Sequence, residues 1–172
     1  SRGHQIPSAD RTANDELNNQ TFYASNMTPQ SGDFNGGIWA TLEGKIRDNI
    51  CNDTLYVVTG CYFGNNYTTT RDGCNGNNES QVSKDCPVPT HYFKVILRTR
   101  SGTSGKSVPE CSANELKAIG FWLEHKVIEN DANLLRNYCK SVSEIEQLTG
   151  IKFFPVIPES VKEQCTPSDW SL

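Results

Sequence analysis

Between Asn35 and Ile50 the apolar residues Ile38, Trp39, Leu42, Ile46 and Ile50 return at steps of three and four, which predicts a helix with one buried stripe. Gly36 and Gly37 fall at its start, where glycine costs little. Leu55 to Phe63 and His91 to Thr99 read as buried strands. The second sets Phe93, Val95 and Leu97 on one face and Lys94, Ile96, Arg98 and Arg100 on the other. Aromatic and β-branched content predicts a further strand over Thr21 to Met27. Near the end, Ser143 with Glu146 has the form of a capping box and Gly150 of a C-cap, giving a helix over 143–149. Phe153, Phe154, Val156 and Ile157, grouped around two prolines, should dock the tail on the core ahead of a short helix near Glu159 to Gln164. Gly64 to Val88 and Ser101 to Ser112 are polar loops, and no internal repeat is visible.

With 172 residues the chain is expected to form one domain over 1–172. No run of about 18 apolar residues is present, so no helical membrane span is predicted. Sixteen basic against 20 acidic residues leave a net charge of −4, so the overall basic footprint of a tight nucleic-acid binder is missing. A catalyst that binds a polyanion weakly can instead take positive charge from a bound cation and a few arginines.

Seven cysteines stand at 51, 61, 74, 86, 111, 139 and 165, none within two to four residues of another, which disfavours a zinc knuckle and favours disulfides. Cys74 with Cys86 is the best local pairing, and six paired cysteines allow 15 connectivities for each choice of the odd one. Disulfides imply an oxidising compartment, so the expectation is a secreted, periplasmic or cell-surface protein.

Candidate chemistry gathers in three stretches: Arg2-Gly3-His4, Ser25-Asn26-Met27-Thr28-Pro29-Gln30, and Asn35-Gly36-Gly37-Ile38-Trp39 running on to Leu42-Glu43. A histidine has the right basicity to take a proton from water near neutrality. The amide oxygen of Asn35 is a hard ligand suited to a Mg²⁺ ion that keeps many waters, although a plain helix N-cap is the common role of such an Asn. On a straight helix Asn35 and Glu43 would sit roughly 80° and about 12 Å apart, too far to ligate one ion together, so Glu43 would instead hold a metal-bound water.

Together these motifs closely resemble the DNA/RNA non-specific endonucleases, the His-Me finger (ββα-metal) nucleases. His91-Tyr92-Phe93-Lys94-Val95-Ile96 resembles a core strand of that family, and Val142 to Gly150 its C-terminal helix. The resemblance implies an α+β fold with a central, mainly antiparallel sheet flanked by helices. It also implies Mg²⁺-dependent hydrolysis of DNA and RNA to 5′-phosphate ends, with Mn²⁺ or Ca²⁺ as substitutes. His4 would be the general base, Asn35 the metal ligand, Arg2 the phosphate brace and Glu43 the holder of metal-bound water, with Asn26 hydrogen-bonding within the site.

Two departures stand out. Ser1 occupies the place of an Asp that usually precedes Arg-Gly-His, and family members usually carry several tens of residues upstream, including strands of the central sheet. A longer protein with an upstream portion and an upstream partner for the seventh cysteine is therefore expected. Lys94, Arg98 and Arg100 could track phosphates or could simply form a solvated strand face. His91 and His125 are read as structural, and Trp39 as core. Two rival functions remain at this level: a disulfide-stapled binding module with a decayed site, and a phosphodiesterase acting on small nucleotides. A homodimer is left open.

Overall fold

The computed structural model describes residues 1–71 and 85–172. Its centre is a four-stranded antiparallel sheet in the order β3-β4-β5-β6, built from β3 (Tyr56–Tyr62), β4 (His91–Thr99), β5 (Leu116–Glu124) and β6 (Cys139–Lys140). The long pairing is β4 with β5, from His91 opposite Glu124 to Thr99 opposite Leu116. Both faces of the two central strands are covered, which explains why β4 is buried along nearly its whole length.

On one face lies a continuous helical stretch: α2 (Gly32–Phe34), a wide π turn (Asn35–Trp39) and α3 (Ala40–Arg47). Its stripe of Phe34, Ile38, Trp39, Leu42 and Ile46 packs on Tyr92, Ile96, Ile119, Phe121 and Leu123. The opposite face receives α4 (Val142–Thr149), α5 (Glu159–Lys162) and Phe153, which pack on Phe93, Val95, Leu97 and Ala118. The approach of α4 is so close that a Cβ on Gly120 would strike Ile145. Burying a large apolar side chain contributes about 1.5–3 kcal/mol, so these two layers, rather than helix propensity, hold the elements in place.

Several sequence expectations shift in the structure. Thr21 to Met27 is not a strand. Residues Ala24–Asn26 form a 3₁₀ turn and β2 is the short Met27–Pro29, because the Asn26 side chain claims backbone groups that a strand would need. The segment ahead of it holds a short helix, α1 (Asp15–Gln20), capped by the Asn14 side chain. The capping box of α4 is Ser141 with Glu144, and Gly150 is its left-handed C-cap at φ 73°. Glu146 is instead buried at 4% exposure, where it accepts from the Phe153 N–H and pairs with Lys162 at 2.8 Å. The predicted stripe ends early: the helix stops at Arg47 and Ile50 is exposed.

Strand β5 has no alternation to betray it, since Leu116, Ala118, Ile119, Phe121 and Leu123 bury both faces. All six cysteines among the described residues are free thiols, which removes the disulfide framework there. The expected Cys74–Cys86 pairing lies outside the described residues. Among those residues no helix is long and apolar enough to cross a membrane.

Candidate active site

The N-terminal strand β1 (Arg2–His4) pairs antiparallel with β2, placing His4 opposite Met27, Gly3 opposite Thr28 and Arg2 opposite Pro29. Glycine is needed in the middle, since a Cβ on Gly3 would come 2.7 Å from Cβ of the buried Gln30. The Tyr92 hydroxyl ties this ribbon to the sheet. It donates to the Pro29 carbonyl at 2.8 Å and lies 2.9 Å from the Thr28 hydroxyl, and burial pushes its pKa well above the usual tyrosine range.

The helix that follows is pinned to the same N-terminal segment at both ends. Asn35 Nδ2 donates to the Ser1 hydroxyl at 3.4 Å, and Arg47 pairs with Asp10 at 3.1 Å. His4 and Glu43 fall between those two ties in their respective segments. The ribbon and helix thus form one ββα unit that carries Arg2, His4, Asn26, Asn35 and Glu43.

His4 is half-buried, and Phe22 meets its ring edge-on with centroids 5.0 Å apart. Its Nε2 is buried with no hydrogen-bond partner among the described residues. Burial, followed by the charge of Arg2, lowers its pKa from the ordinary 6.5, so the imidazole is neutral at pH 7. Arg2 itself is exposed and makes no ion pair among the described residues.

Asn35 opens the π turn, whose Gly37 departs from helical geometry at ψ −119°. Such wide turns recur at functional sites because they re-aim a side chain. The straight-helix separation of Asn35 from Glu43 therefore does not apply. Asn35 donates through its amide nitrogen, while its Oδ1 has no hydrogen-bond partner among the described residues. No three His, Cys, Asp or Glu side chains converge among those residues, so a cation held at Asn35 Oδ1 would have few protein ligands and keep most of its waters. That donor set fits Mg²⁺, which dehydrates reluctantly and keeps several waters. Burial raises the pKa of Glu43, and the Lys94 charge opposes that rise.

Asn26 hydrogen-bonds to backbone groups of the segment around His4. Its Oδ1 accepts from the Ile6 N–H at 2.9 Å, and its Nδ2 donates to the carbonyls of Ile6 at 2.9 Å and Thr21 at 2.8 Å. Its amide clamps the loop that leaves His4, and little of it remains for a substrate.

The helix and the C-terminal residues cover Lys94 and half-bury Arg98, so these two form neither a phosphate track nor a solvated face, while Arg100, just beyond β4, is exposed and engaged in an ion pair. Lys94 is 1% exposed, donates to the Thr59 hydroxyl at 2.7 Å and lies over Trp39, and burial lowers its pKa to about 8. Arg98 donates to the Asn49 carbonyl at 2.6 Å, and Arg100 pairs with Asp169 at 2.7 Å.

One residue that the sequence left as structural sets the position of the site helix. His125 Nδ1 is 2.9 Å from the Pro89 carbonyl and must donate to it, so Nε2 is the bare nitrogen that accepts from the Ser31 N–H at 2.8 Å. Ser31 caps the helix four residues before Asn35. A lone histidine gives no pattern from which this could be read.

The sequence profile of the DNA/RNA non-specific endonucleases matches residues 1–160. The chain belongs to that family. A nuclease of Syncephalastrum racemosum is 35% identical over 92% of this chain and 48% of its own length. The mitochondrial nuclease 1 of Schizosaccharomyces pombe is 32% identical over 95% and 48%, and the mitochondrial nuclease EXOG of Danio rerio is 30% identical over 100% and 48%. The chain thus spans about half the length of the curated relatives it matches. Among solved structures, EndoG from the EndoG/EndoGI complex superposes with a TM-score of 0.66 at 25% identity, covering 92% of this chain and 60% of that one. The fold is accordingly the ββα-metal nuclease fold. The endonuclease relatives also correct the expected location: those named mitochondrial, together with the free thiols, overturn the expectation of a secreted protein.

Proposed function

We propose that the ββα unit is the catalytic centre of a metal-dependent nuclease that hydrolyses phosphodiester bonds in both DNA and RNA. The observation that carries this reading is a neutral, half-buried His4 on the same short strand as an unpaired Arg2, in a segment tied through Ser1 to Asn35. The His4 imidazole takes the proton from a water as its oxygen attacks phosphorus. The bond from phosphorus to the 3′ oxygen breaks, that oxygen takes a proton from solvent water and leaves as a 3′ hydroxyl, and the phosphate stays on the 5′ side. The Arg2 guanidinium, planar and permanently charged, braces the non-bridging oxygens.

Asn35 Oδ1 would hold Mg²⁺, with Mn²⁺ or Ca²⁺ as substitutes, and Glu43 would orient water there. When bound, the ion neutralises charge on the phosphate and on the leaving oxygen. Every one of these contacts falls on the backbone and none on a base edge, which accounts for indifference to sequence.

The test is plasmid DNA and total RNA incubated with the intact protein with and without Mg²⁺, with EDTA, His4→Ala and Asn35→Ala as controls. Both polymers should be cut only by the parent protein with metal present. Cleavage that survives EDTA, or polymers left whole while a dinucleotide is turned over, contradicts the reading.

A further inference from the structure

The loop between His4 and Asn26 carries a second feature that the hydrolytic chemistry does not use. Phe22, 47% exposed, packs edge-on against His4, and the next residue, Tyr23, is 59% exposed. Ile6, two positions after His4, is 45% exposed. Single exposed apolar residues are ordinary on a protein surface. Here three large ones fall in the segment that follows the candidate base, and Ile6, Tyr23 and Arg11 line one groove of about 410 Å³. That volume lies in the range of clefts that hold small planar ligands.

Arg11 makes no ion pair among the described residues. Its acidic neighbour Asp10 pairs with Arg47. Arg11 also lines an adjoining groove of about 280 Å³ that runs past Gln5 to Thr59 on β3. A flat aromatic surface, a free guanidinium and a continuous groove leading from the segment after the base form the combination with which proteins hold unpaired nucleotides.

We infer that this groove is a nucleobase-stacking subsite for a single-stranded or locally unpaired polynucleotide, with Tyr23 as the stacking platform and Arg11 holding the phosphate beside it. The inference rests on the nuclease reading and deepens it: a base flanking the cut phosphate is drawn out of its stack and laid on Tyr23. Since every base has a π face, the subsite adds affinity without adding a sequence requirement. Phe22 is a poor probe, because removing it also frees the His4 ring. Tyr23 is the clean one.

The test is binding of a fluorescein-labelled single-stranded DNA oligonucleotide to the intact protein in EDTA, read by anisotropy, with an abasic oligonucleotide of equal length beside it. Base stacking on an aromatic side chain is worth about 1–3 kcal/mol, so Tyr23→Ala should raise Kd roughly 5- to 150-fold. Tyr23→Phe should bind like the parent. The parent should bind the abasic strand more weakly, and Tyr23→Ala should bind the two strands alike. Arg11→Ala should lower the slope of log affinity against log salt by about 0.7, one phosphate contact on a single strand. A Tyr23→Ala protein that binds as tightly as the parent, or a parent indifferent to missing bases, overturns the subsite. A separate Mg²⁺ digestion of plasmid by the parent keeps the two readings apart: cleavage without Tyr23-dependent binding sinks only the subsite, and binding without cleavage sinks only the nuclease assignment.

Discussion

Replacing Asn26 with Ala separates two roles that the sequence motif alone runs together. If Asn26 is a clamp, the variant loses three hydrogen bonds, to the Ile6 N–H, the Ile6 carbonyl and the Thr21 carbonyl. A typical intramolecular hydrogen bond contributes about 0.5–1.5 kcal/mol net, and the two bonds to Ile6 are exposed enough for water to replace part of their value. The expected loss is therefore about 1.5–3 kcal/mol. For a chain of this size about 1 kcal/mol lowers Tm by roughly 2–4 °C, so a drop of about 3–12 °C is predicted. Asn26→Asp keeps the acceptor for the Ile6 N–H but sets a carboxylate oxygen against the Ile6 and Thr21 carbonyls, and it should be no more stable than Asn26→Ala.

Activity should fall with stability, since Ile6 lies two residues beyond His4, while the acidic limb of the pH–rate profile stays where it was. Thermal unfolding followed by circular dichroism, with pH–rate profiles on plasmid DNA, supplies both readouts. An Asn26→Ala protein with parental Tm and abolished turnover would refute the clamp and return Asn26 to the reacting groups.

Three further outcomes follow from the geometry. Gly3→Ala should destabilise the ribbon and depress activity together in urea unfolding and plasmid assays, because its Cβ must displace the buried Gln30. Glu146→Gln leaves the Lys162 ammonium buried without its partner and should cost about 3–5 kcal/mol in urea unfolding, with a normal Mg²⁺ requirement in the surviving folded protein. The His4 pKa is lowered in the folded state, so the unfolded chain takes up a proton first: its stabilising contribution is whole above 6.5 and is lost as pH falls through the folded value. The same shift sets the rate profile, whose acidic limb should lie below pH 6.5, and Arg2→Ala should move that limb upward by removing the charge that opposes protonation.

The candidate site was proposed from the sequence because its motifs are compressed within 43 positions of the first residue. The helix stripe from Ile38 to Ile46 and the bounds of β4 followed from periodicity alone. What escaped were features set by tertiary contact. Strand β5, buried on both faces, has no alternation to read. The π turn at Asn35 breaks the regular spacing on which the distance to Glu43 was judged. Lys94 looked solvated because strand alternation cannot tell a face open to water from one covered by a helix. Seven cysteines suggested oxidation, yet a thiol count says nothing of which sulfurs meet, and the described ones are free thiols.

The central claim is that the His4 imidazole receives the proton of the attacking water, and rescue of His4→Ala by free imidazole tests it most directly. General-base catalysis contributes about 10²–10⁴-fold, so the variant's rate on plasmid DNA in Mg²⁺ should fall by that factor and recover in part as imidazole is added. A His4→Ala protein that cuts as fast as the parent would contradict the account.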